Sequence, residues 1–143
     1  PYKFTHAIIE GDAIDVYNHG EMKRDFTYVE DLVEAVRRLI DTVPERPKEG
    51  IVSKGDSLSP VAPWRVVNIG NSDAVQLIDF IEAIEKSTGL KAKKNFMPMQ
   101  AGDVPATWAD TSLLKSLTGY QPTTTINDGI EAFVNWYLEF YGN

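Results

Sequence analysis

The chain has 143 residues, of which 43% are hydrophobic and 24% are charged, as is ordinary for one globular domain. Its net charge of −7 argues against broad nucleic-acid binding, and the absence of cysteine excludes disulfides, thiolate metal sites and a cysteine nucleophile. No apolar run approaches the roughly 18 residues of a membrane span, and no secretory signal is visible. We therefore expect no membrane and no nucleic-acid partner, and a cytoplasmic location. The start at Pro1 indicates a segment of a longer protein.

The first elements follow from the spacing of apolar residues. A helical spacing predicts a first helix that is ended by Gly11, with an apolar face formed by Phe4, Ala7 and Ile8. The alternation in "AIDVYN" then predicts a short strand through Ile14, Val16 and Tyr17. A turn, "HGEM", leads from this strand to "RDFTYV".

A second and more strongly amphipathic helix is predicted after residue 26. Thr27 and Glu30 have the spacing of a capping box, and Pro44 should stop the helix. Its apolar stripe comprises Val29, Leu32, Val33, Val36, Leu39, Ile40 and Val43. Residues 44–63 contain four prolines and several glycines and serines, which predicts a long loop, favoured as an exposed insertion over a lid.

The second half of the chain alternates predicted strands and helices. "WRVVNIG" is predicted as a strand, followed by a helix from about Val75 that Gly89 caps. "AKKNFMPM" is predicted as a short strand, and Asp110 or Thr111 should cap a brief helix that ends at Gly119. Thr125 and Asp128 should cap the last helix, whose stripe is Ile126, Ile130, Phe133, Val134, Tyr137 and Tyr141. The fold class is thus mixed α/β with a small sheet.

Complete catalytic motifs are not found in the sequence. It has no G-x-G-x-x-G dinucleotide fingerprint, no phosphate loop, no Tyr-x-x-x-Lys pair and no G-x-S-x-G elbow. Two isolated histidines are too few for a histidine-based metal site. We therefore expect no catalytic, cofactor or metal residues in this chain, and a binding role fits it better.

Three side chains together suggest a nucleotide site. Arg24 could clamp a phosphate with its guanidinium, although a surface salt bridge with Asp25 or Glu30 is the simpler interpretation. The ring of Tyr17 could stack on a base, or it could be an ordinary half-buried strand aromatic. Asp103 could accept hydrogen bonds from vicinal ribose hydroxyls, or it could only satisfy its own turn.

Three ordered motifs resemble a known family. "GEMKRDFTYVEDLVEAVRRLID", "RVVNIGNSDAVQLIDFIEAIE" and "MPMQAGDVPATWADTSLLKSLTGYQPTTTINDGIEAFVNWYLEFY" are similar to the C-terminal, substrate-binding part of NAD-dependent nucleotide-sugar epimerases. These enzymes are extended short-chain dehydrogenases/reductases, and the similarity is closest to UDP-glucuronate 4-epimerases. The resemblance covers the whole chain, 1–143, except the loop 44–63.

The resemblance implies a role for each candidate residue. Arg24 corresponds to an arginine that holds the diphosphate of a UDP-sugar, Tyr17 to an aromatic that flanks uracil, and Asp103 to the aspartate that binds the ribose hydroxyls. Gln100 stands where many relatives carry a second phosphate-binding arginine, a departure that fits the glucuronate subfamily. The family's Rossmann half, which binds NAD and carries the Tyr-x-x-x-Lys pair, should precede Pro1.

The resemblance also implies what the isolated chain should do. We expect weak UDP-sugar binding and no turnover without the Rossmann half, because NAD is bound there. The stripes at 29–43 and 77–84 are expected to share a core with that half, so the isolated chain should expose apolar surface and self-associate. A UDP-sugar dehydratase or decarboxylase, and a non-catalytic interaction module, are the alternatives.

Overall fold

A computed structural model describes residues 1–142, which form two compact units. The first unit comprises residues 1–26, 73–107 and 124–142. Its helices are α1 (Tyr2–Glu10), α3 (Leu77–Thr88) and α5 (Ile126–Tyr141), and its strands are β1 (Ala13–Val16), β2 (Lys23–Asp25), β3 (Ala74–Gln76), β4 (Lys93–Phe96) and β5 (Ala106–Thr107). The second unit comprises residues 27–72 and 108–123, with helices α2 (Val29–Ile40) and α4 (Ser112–Thr118).

Two small sheets organise the first unit. β1 and β4 form a parallel pair in which Ile14 is opposite Lys94, and β2 lies between β3, antiparallel, and β5, parallel. Ile14 and Val16 point into the core while the side chains between them face out, as the alternation predicts. β1 ends at Val16, so the prediction that Tyr17 belongs to the strand is wrong. Tyr17 opens a turn, Tyr17–Gly20, because the next residues adopt left-handed backbone angles.

The core of the first unit lies between α1, α3 and α5. Gly11, at φ 74°, ends α1 as predicted, and Gly89, at φ 70°, ends α3. The Thr125 hydroxyl accepts a hydrogen bond from the backbone N of Asp128, which confirms the predicted cap of α5. The buried core residues are Ile8, Ile14, Val16, Phe80, Ile81, Ala83, Ile84, Ile130 and Val134.

The two apolar stripes that the sequence groups together have different surroundings. The stripe on α3 is buried within the first unit, so the expectation that it awaits another domain is wrong. The stripe on α2 is mostly exposed: Val33 is 60% exposed and Ile40 69%. Of the two stripes only that of α2 is exposed, but Trp136 and Phe140 on α5 are also 47% and 67% exposed. Apolar exposure is therefore confirmed, and self-association stays a prediction.

The second unit departs from the sequence predictions at two places. α2 begins after Tyr28, whose carbonyl oxygen accepts the first helical bond from the backbone N of Leu32 at 3.0 Å, so the Thr27–Glu30 capping box is wrong. "WRVVNIG" forms no strand, since none of the described strands pairs with it. The Arg65 side chain instead makes two 2.8 Å bonds to the carboxylate of Asp56.

Irregular structure dominates the chain between α2 and β3. Apart from the 3-10 turn Lys48–Gly50, residues 41–73 form no helix or strand, in agreement with the loop predicted at 44–63. The Asp56 carboxylate connects two parts of this segment, because it accepts hydrogen bonds from the Arg65 side chain and from the backbone N of Leu58. The hydrogen bonds from Arg65 lower the pKa of the Asp56 carboxyl. The loop therefore has an internal ion pair of its own.

Polar contacts join α2 to Tyr120, which follows α4 in the second unit. The Tyr120 hydroxyl donates to Asp31 at 2.8 Å, and the Arg38 guanidinium lies 4.8 Å from the centre of the Tyr120 ring. Burial and the neighbouring carboxylate raise the pKa of Tyr120 to about 12. Thr111 occupies the N-cap position of α4 but its side chain makes no cap bond, whereas the Asp110 carboxylate accepts from the backbone N of Ser112.

A buried carboxylate links α3 to β4. Glu85 is 5% exposed, and it accepts hydrogen bonds from Lys91 at 2.6 Å, from the backbone N of Ala92 at 3.1 Å and from Lys94. Burial raises the pKa of this carboxyl, but the three hydrogen bonds outweigh burial and hold the pKa at about 2, against an ordinary value of 4.5. The Glu85 carboxylate therefore stabilises the fold above pH 5, and this contribution is lost as the pH falls toward 2.

Replacing Glu85 by glutamine should flatten the pH dependence of stability. Between pH 7 and pH 3 the unfolding free energy of the wild-type chain should fall by about 2 kcal/mol more than that of E85Q. The reason is that the Glu85 carboxyl takes up a proton on unfolding below its ordinary pKa of 4.5, and E85Q has no carboxyl at this position. Urea unfolding at both pH values measures this. Glu82, exposed on the same helix, provides the control E82Q, which should behave as wild type. An E85Q profile parallel to that of wild type would refute the assignment.

Candidate functional site

A cleft of about 160 Å³ in the first unit collects three of the four candidate residues. Tyr17, Arg24 and Asp103 all line it, although they come from the turn after β1, from β2 and from the loop before β5. The remaining lining residues are Phe4, Asp15, Met22, Phe26, Val75 and Leu77. The cleft thus combines aromatic and apolar side chains with one cation and two carboxylates.

An ion pair joins two of these residues. Arg24 Nη2 donates to Asp103 Oδ1 at 2.7 Å, and Arg24 Nη1 donates to the backbone oxygen of Lys23 at 2.8 Å. Asp103 Oδ1 also accepts from the backbone N of Val104 at 2.8 Å. Arg24 thus forms the ion pair that the simpler interpretation expected, with Asp103 as its partner. The bond from Val104 agrees with the turn interpretation of Asp103, and its ribose-binding role stays a prediction.

Tyr17 lies at the start of a backbone turn with an uncommon conformation. Asn18 and His19 have φ angles of 48° and 51°, and Gly20 follows at φ 88°. The backbone N of His19 donates to the oxygen of Met97 at 3.0 Å, which ties the turn to the end of β4. Left-handed residues other than glycine are uncommon and gather at functional sites. The turn leaves the half-buried Tyr17 ring at the cleft.

Gln100 is not brought to the cleft. Its side chain is exposed, and its backbone oxygen accepts from the backbone N of Asp103 at 3.1 Å. Gly102 lies inside this turn at φ 85°, a left-handed angle that favours glycine. In the described structure Gln100 therefore helps to close the turn that presents Asp103, and its role as a phosphate ligand stays a prediction.

Phe26 is a cleft residue that the sequence analysis did not single out. Its ring stacks on that of Phe80, with the ring centres 4.6 Å apart and the planes 3° from parallel. The signal was available in "RDF", because residues 24 and 26 of an extended segment point to the same face. Phe4 also reaches the cleft, from α1, and no sequence pattern connects it to Arg24.

A wider cleft of about 590 Å³ is lined by residues of the three-stranded sheet that alternate along the strands with those of the smaller cleft. Lys23, Gln76 and Ala106, which lie beside one another in register, line this cleft, whereas Arg24 and Val75 line the smaller one. His19, Glu21 and Asp79 complete its polar lining. Its described lining has carboxylates but, unlike that of the smaller cleft, no arginine, tyrosine or phenylalanine.

Residues 1–142 contain no group of three or more histidine, aspartate or glutamate side chains placed to hold a metal ion. None of their helices is both long and apolar enough to cross a bilayer. The cytoplasmic location suggested by the sequence stays a prediction.

Comparison with known proteins identifies the relatives of this chain. The family model described as GDP-mannose 4,6 dehydratase matches residues 3–133. The protein CapI of Staphylococcus aureus is 50% identical over 140 residues, and a probable UDP-glucuronate 4-epimerase of Rhizobium meliloti is 45% identical over 141 residues; each match covers 98% of this chain. The chain spans 42% and 41% of the length of these two relatives.

Solved structures agree with this relationship. The UDP-glucuronic acid 4-epimerase of Bacillus cereus, in complex with UDP-glucuronic acid and NAD, superposes with a TM-score of 0.76 at 26% identity, over 98% of this chain and 40% of that one. The chain therefore belongs to the extended short-chain dehydrogenase/reductase family of nucleotide-sugar epimerases and dehydratases, and it corresponds to their C-terminal part.

Proposed function

We propose that the smaller cleft binds the nucleotide part of a UDP-sugar, and that the chain serves as the substrate-binding domain of a UDP-glucuronate 4-epimerase. The single observation that carries this proposal is the meeting of Tyr17, Arg24 and Asp103 around one cleft. The choice of substrate is supported by the probable UDP-glucuronate 4-epimerase that is 45% identical, and by the Bacillus cereus structure in complex with UDP-glucuronic acid.

Each of the three side chains matches one chemical feature of the nucleotide. The Tyr17 ring offers a flat apolar surface to a pyrimidine. The Arg24 guanidinium offers charge and paired N–H donors to the diphosphate, and the Asp103 carboxylate accepts hydrogen bonds from the two ribose hydroxyls. Pockets for whole drug-sized ligands measure roughly 300–1,000 Å³, so the 160 Å³ cleft suits only a portion of a nucleotide-sugar.

The cofactor of the proposed enzyme has no place among the described residues. NAD needs a glycine-rich turn between a strand and a helix, whereas β3 runs directly into α3 and no glycine lies between β2 and α2 or between β5 and α4. The described residues therefore do not fit NAD. We propose that NAD acts in the longer enzyme, bound by another part of it, and that the 143-residue chain alone binds substrate without turnover.

A titration with UDP-glucuronate, followed by residue-resolved NMR, tests the proposed site. Binding shifts should cluster at the three cleft residues, and Arg24→Ala should weaken binding about tenfold or more, because a hydrogen bond to a charged group contributes about 1.5–3 kcal/mol. Arg37→Ala is the matched control, since Arg37 is exposed on α2 and paired with Glu34. Equal affinities for R24A and R37A, or shifts confined to other surfaces, would reject the site.

A dehydratase of the same family is the second candidate, favoured by the description of the matching family model. The cleft suits both enzymes, because it addresses the nucleotide and not the reacting sugar carbon. Identification of the products that the longer enzyme forms from UDP-glucuronate and from UDP-glucose separates them: an epimer retains every atom of its substrate, whereas a 4,6-dehydratase leaves UDP-glucuronate unchanged and its product from UDP-glucose lacks one water.

A further inference from the structure

The Arg24–Asp103 ion pair poses a problem for phosphate binding. In the ligand-free cleft the guanidinium is already engaged by a carboxylate at 2.7 Å. Arg24 is the one cation among the described residues that line the cleft, and Asp15 and Asp103 are both carboxylates. A phosphate that approaches Arg24 therefore meets a lining whose net charge is negative.

The two carboxylate oxygens of Asp103 differ in their hydrogen bonds. Both described hydrogen bonds to the carboxylate, from Arg24 Nη2 and from the backbone N of Val104, fall on Oδ1. Arg24 is held from its other side by the backbone oxygen of Lys23. One carboxylate oxygen thus orients the arginine, and Oδ2 is the oxygen from which hydroxyl groups would be bound.

We propose that Asp103 determines specificity by suppressing the binding of bare phosphates. It neutralises Arg24 in the free cleft, and only a diphosphate that carries a ribose diol satisfies both residues and binds well. The inference rests on the proposed function and deepens it. A ribonucleoside diphosphate offers two hydroxyls to Asp103 while its phosphates compete for Arg24. Inorganic pyrophosphate competes for Arg24 and offers Asp103 no donor.

The exposure of the pair allows this exchange. The side chains of Arg24 and Asp103 are 31% and 34% exposed, and partly exposed ion pairs contribute little to stability. The pair can therefore open when a ligand satisfies both partners. Because Arg24 is also held by Lys23, it should stay near the cleft while it changes its anionic partner.

Calorimetric titration of the 143-residue chain with pyrophosphate and with UDP tests the inference. Asp103→Asn keeps the shape of the side chain and removes its charge, so pyrophosphate should bind roughly five- to tenfold tighter than to wild type. The affinity for UDP should fall relative to the affinity for pyrophosphate, because the ribose hydroxyls lose their charged acceptor. The ratio of UDP affinity to pyrophosphate affinity should therefore fall by about tenfold or more. Misfolding would weaken both ligands together.

Two further variants isolate the cause. Asp12→Asn removes one exposed carboxylate of the same unit away from the cleft, and it should leave both affinities as in wild type. In the double variant R24A/D103N the gain in pyrophosphate affinity should disappear, because Arg24 is the group that the substitution frees. A gain that persists without Arg24 would overturn the inference.

The two proposals fail in different ways. If UDP binds at the cleft but D103N leaves pyrophosphate affinity unchanged or lowers it, the suppression by Asp103 is refuted and the nucleotide site stands. If UDP does not bind to the cleft of the wild-type chain, the nucleotide site is refuted. Tighter pyrophosphate binding by D103N, with a lower UDP-to-pyrophosphate ratio, supports the inference.

Discussion

Replacing Ile84 by alanine should lower the unfolding free energy of the first unit by about 4 kcal/mol, near the upper part of the range for buried isoleucines. Ile84 is fully buried on α3, in the core cluster that also contains Ile130 and Val134 of α5. Truncation removes three carbons from close-packed surroundings and leaves a cavity. Hydrogen exchange of the α3 and α5 amides, read residue by residue, measures the loss in this unit directly.

Ile40→Ala is the matched control for the same chemical change. Ile40 is 69% exposed at the end of α2, and alanine favours helix, so its stability effect should stay within about 0.5 kcal/mol. The comparison also tests the different surroundings of the two apolar stripes. Similar losses from I84A and I40A would contradict the placement of the core between α3 and α5.

Replacing Gly20 by alanine should destabilise the chain by about 2–3 kcal/mol, the sum of a left-handed backbone penalty and overpacking. Gly20 has φ 88°, and a Cβ there would lie 2.7 Å from Ile78 Cδ1 and 2.9 Å from Ile78 Cγ1. Chemical denaturation measures the loss. Because the turn also positions Tyr17, G20A should weaken UDP binding as well.

Two companions separate strain from crowding at Gly20. Gly89, at φ 70°, has open space where a Cβ would go, so Gly89→Ala should cost only about 1 kcal/mol. Ile78→Val removes the nearest atom, so it should recover part of the loss when combined with G20A. Equal costs for G20A and G89A would show that contact with Ile78 has no effect.

Local signals predicted the helices of this chain well and their burial poorly. Gly11, Gly89 and Thr125 mark helix ends through their own backbone or side-chain chemistry, so their positions follow from the sequence. Burial depends on what packs against a helix. The stripes of α2 and α3 look alike in sequence, yet only that of α3 is covered in the described structure.

The strand predicted at "WRVVNIG" failed for a related reason. Alternation of apolar and polar residues indicates that a segment could pack one face in a sheet, but a strand also needs a neighbouring strand for its backbone hydrogen bonds. The described strands of this chain pair elsewhere, and Arg65 and Ser59 engage other parts of the irregular segment. A pairing partner cannot be identified from the segment itself.

The candidate site could be predicted as a set of residues but not as a geometry. Side-chain chemistry suggested Tyr17, Arg24 and Asp103, the family resemblance gave each a role, and these roles stay predictions. The 2.7 Å pairing of Arg24 with Asp103 depends on the loop that brings residue 103 beside β2, and no spacing rule reveals it. Phe26 could have been found from strand alternation, whereas Phe4 depends on the packing of α1.

Intermolecular NOEs from the uracil protons of bound UDP-glucuronate test the central claim most directly. The uracil H5 and H6 protons should show contacts to the rings of Tyr17 and Phe26, which line the small cleft. Contacts to the side chains of Ile78 and Ala106 would instead place the base in the wider cleft. That result would contradict the assignment of the nucleotide site to Tyr17, Arg24 and Asp103.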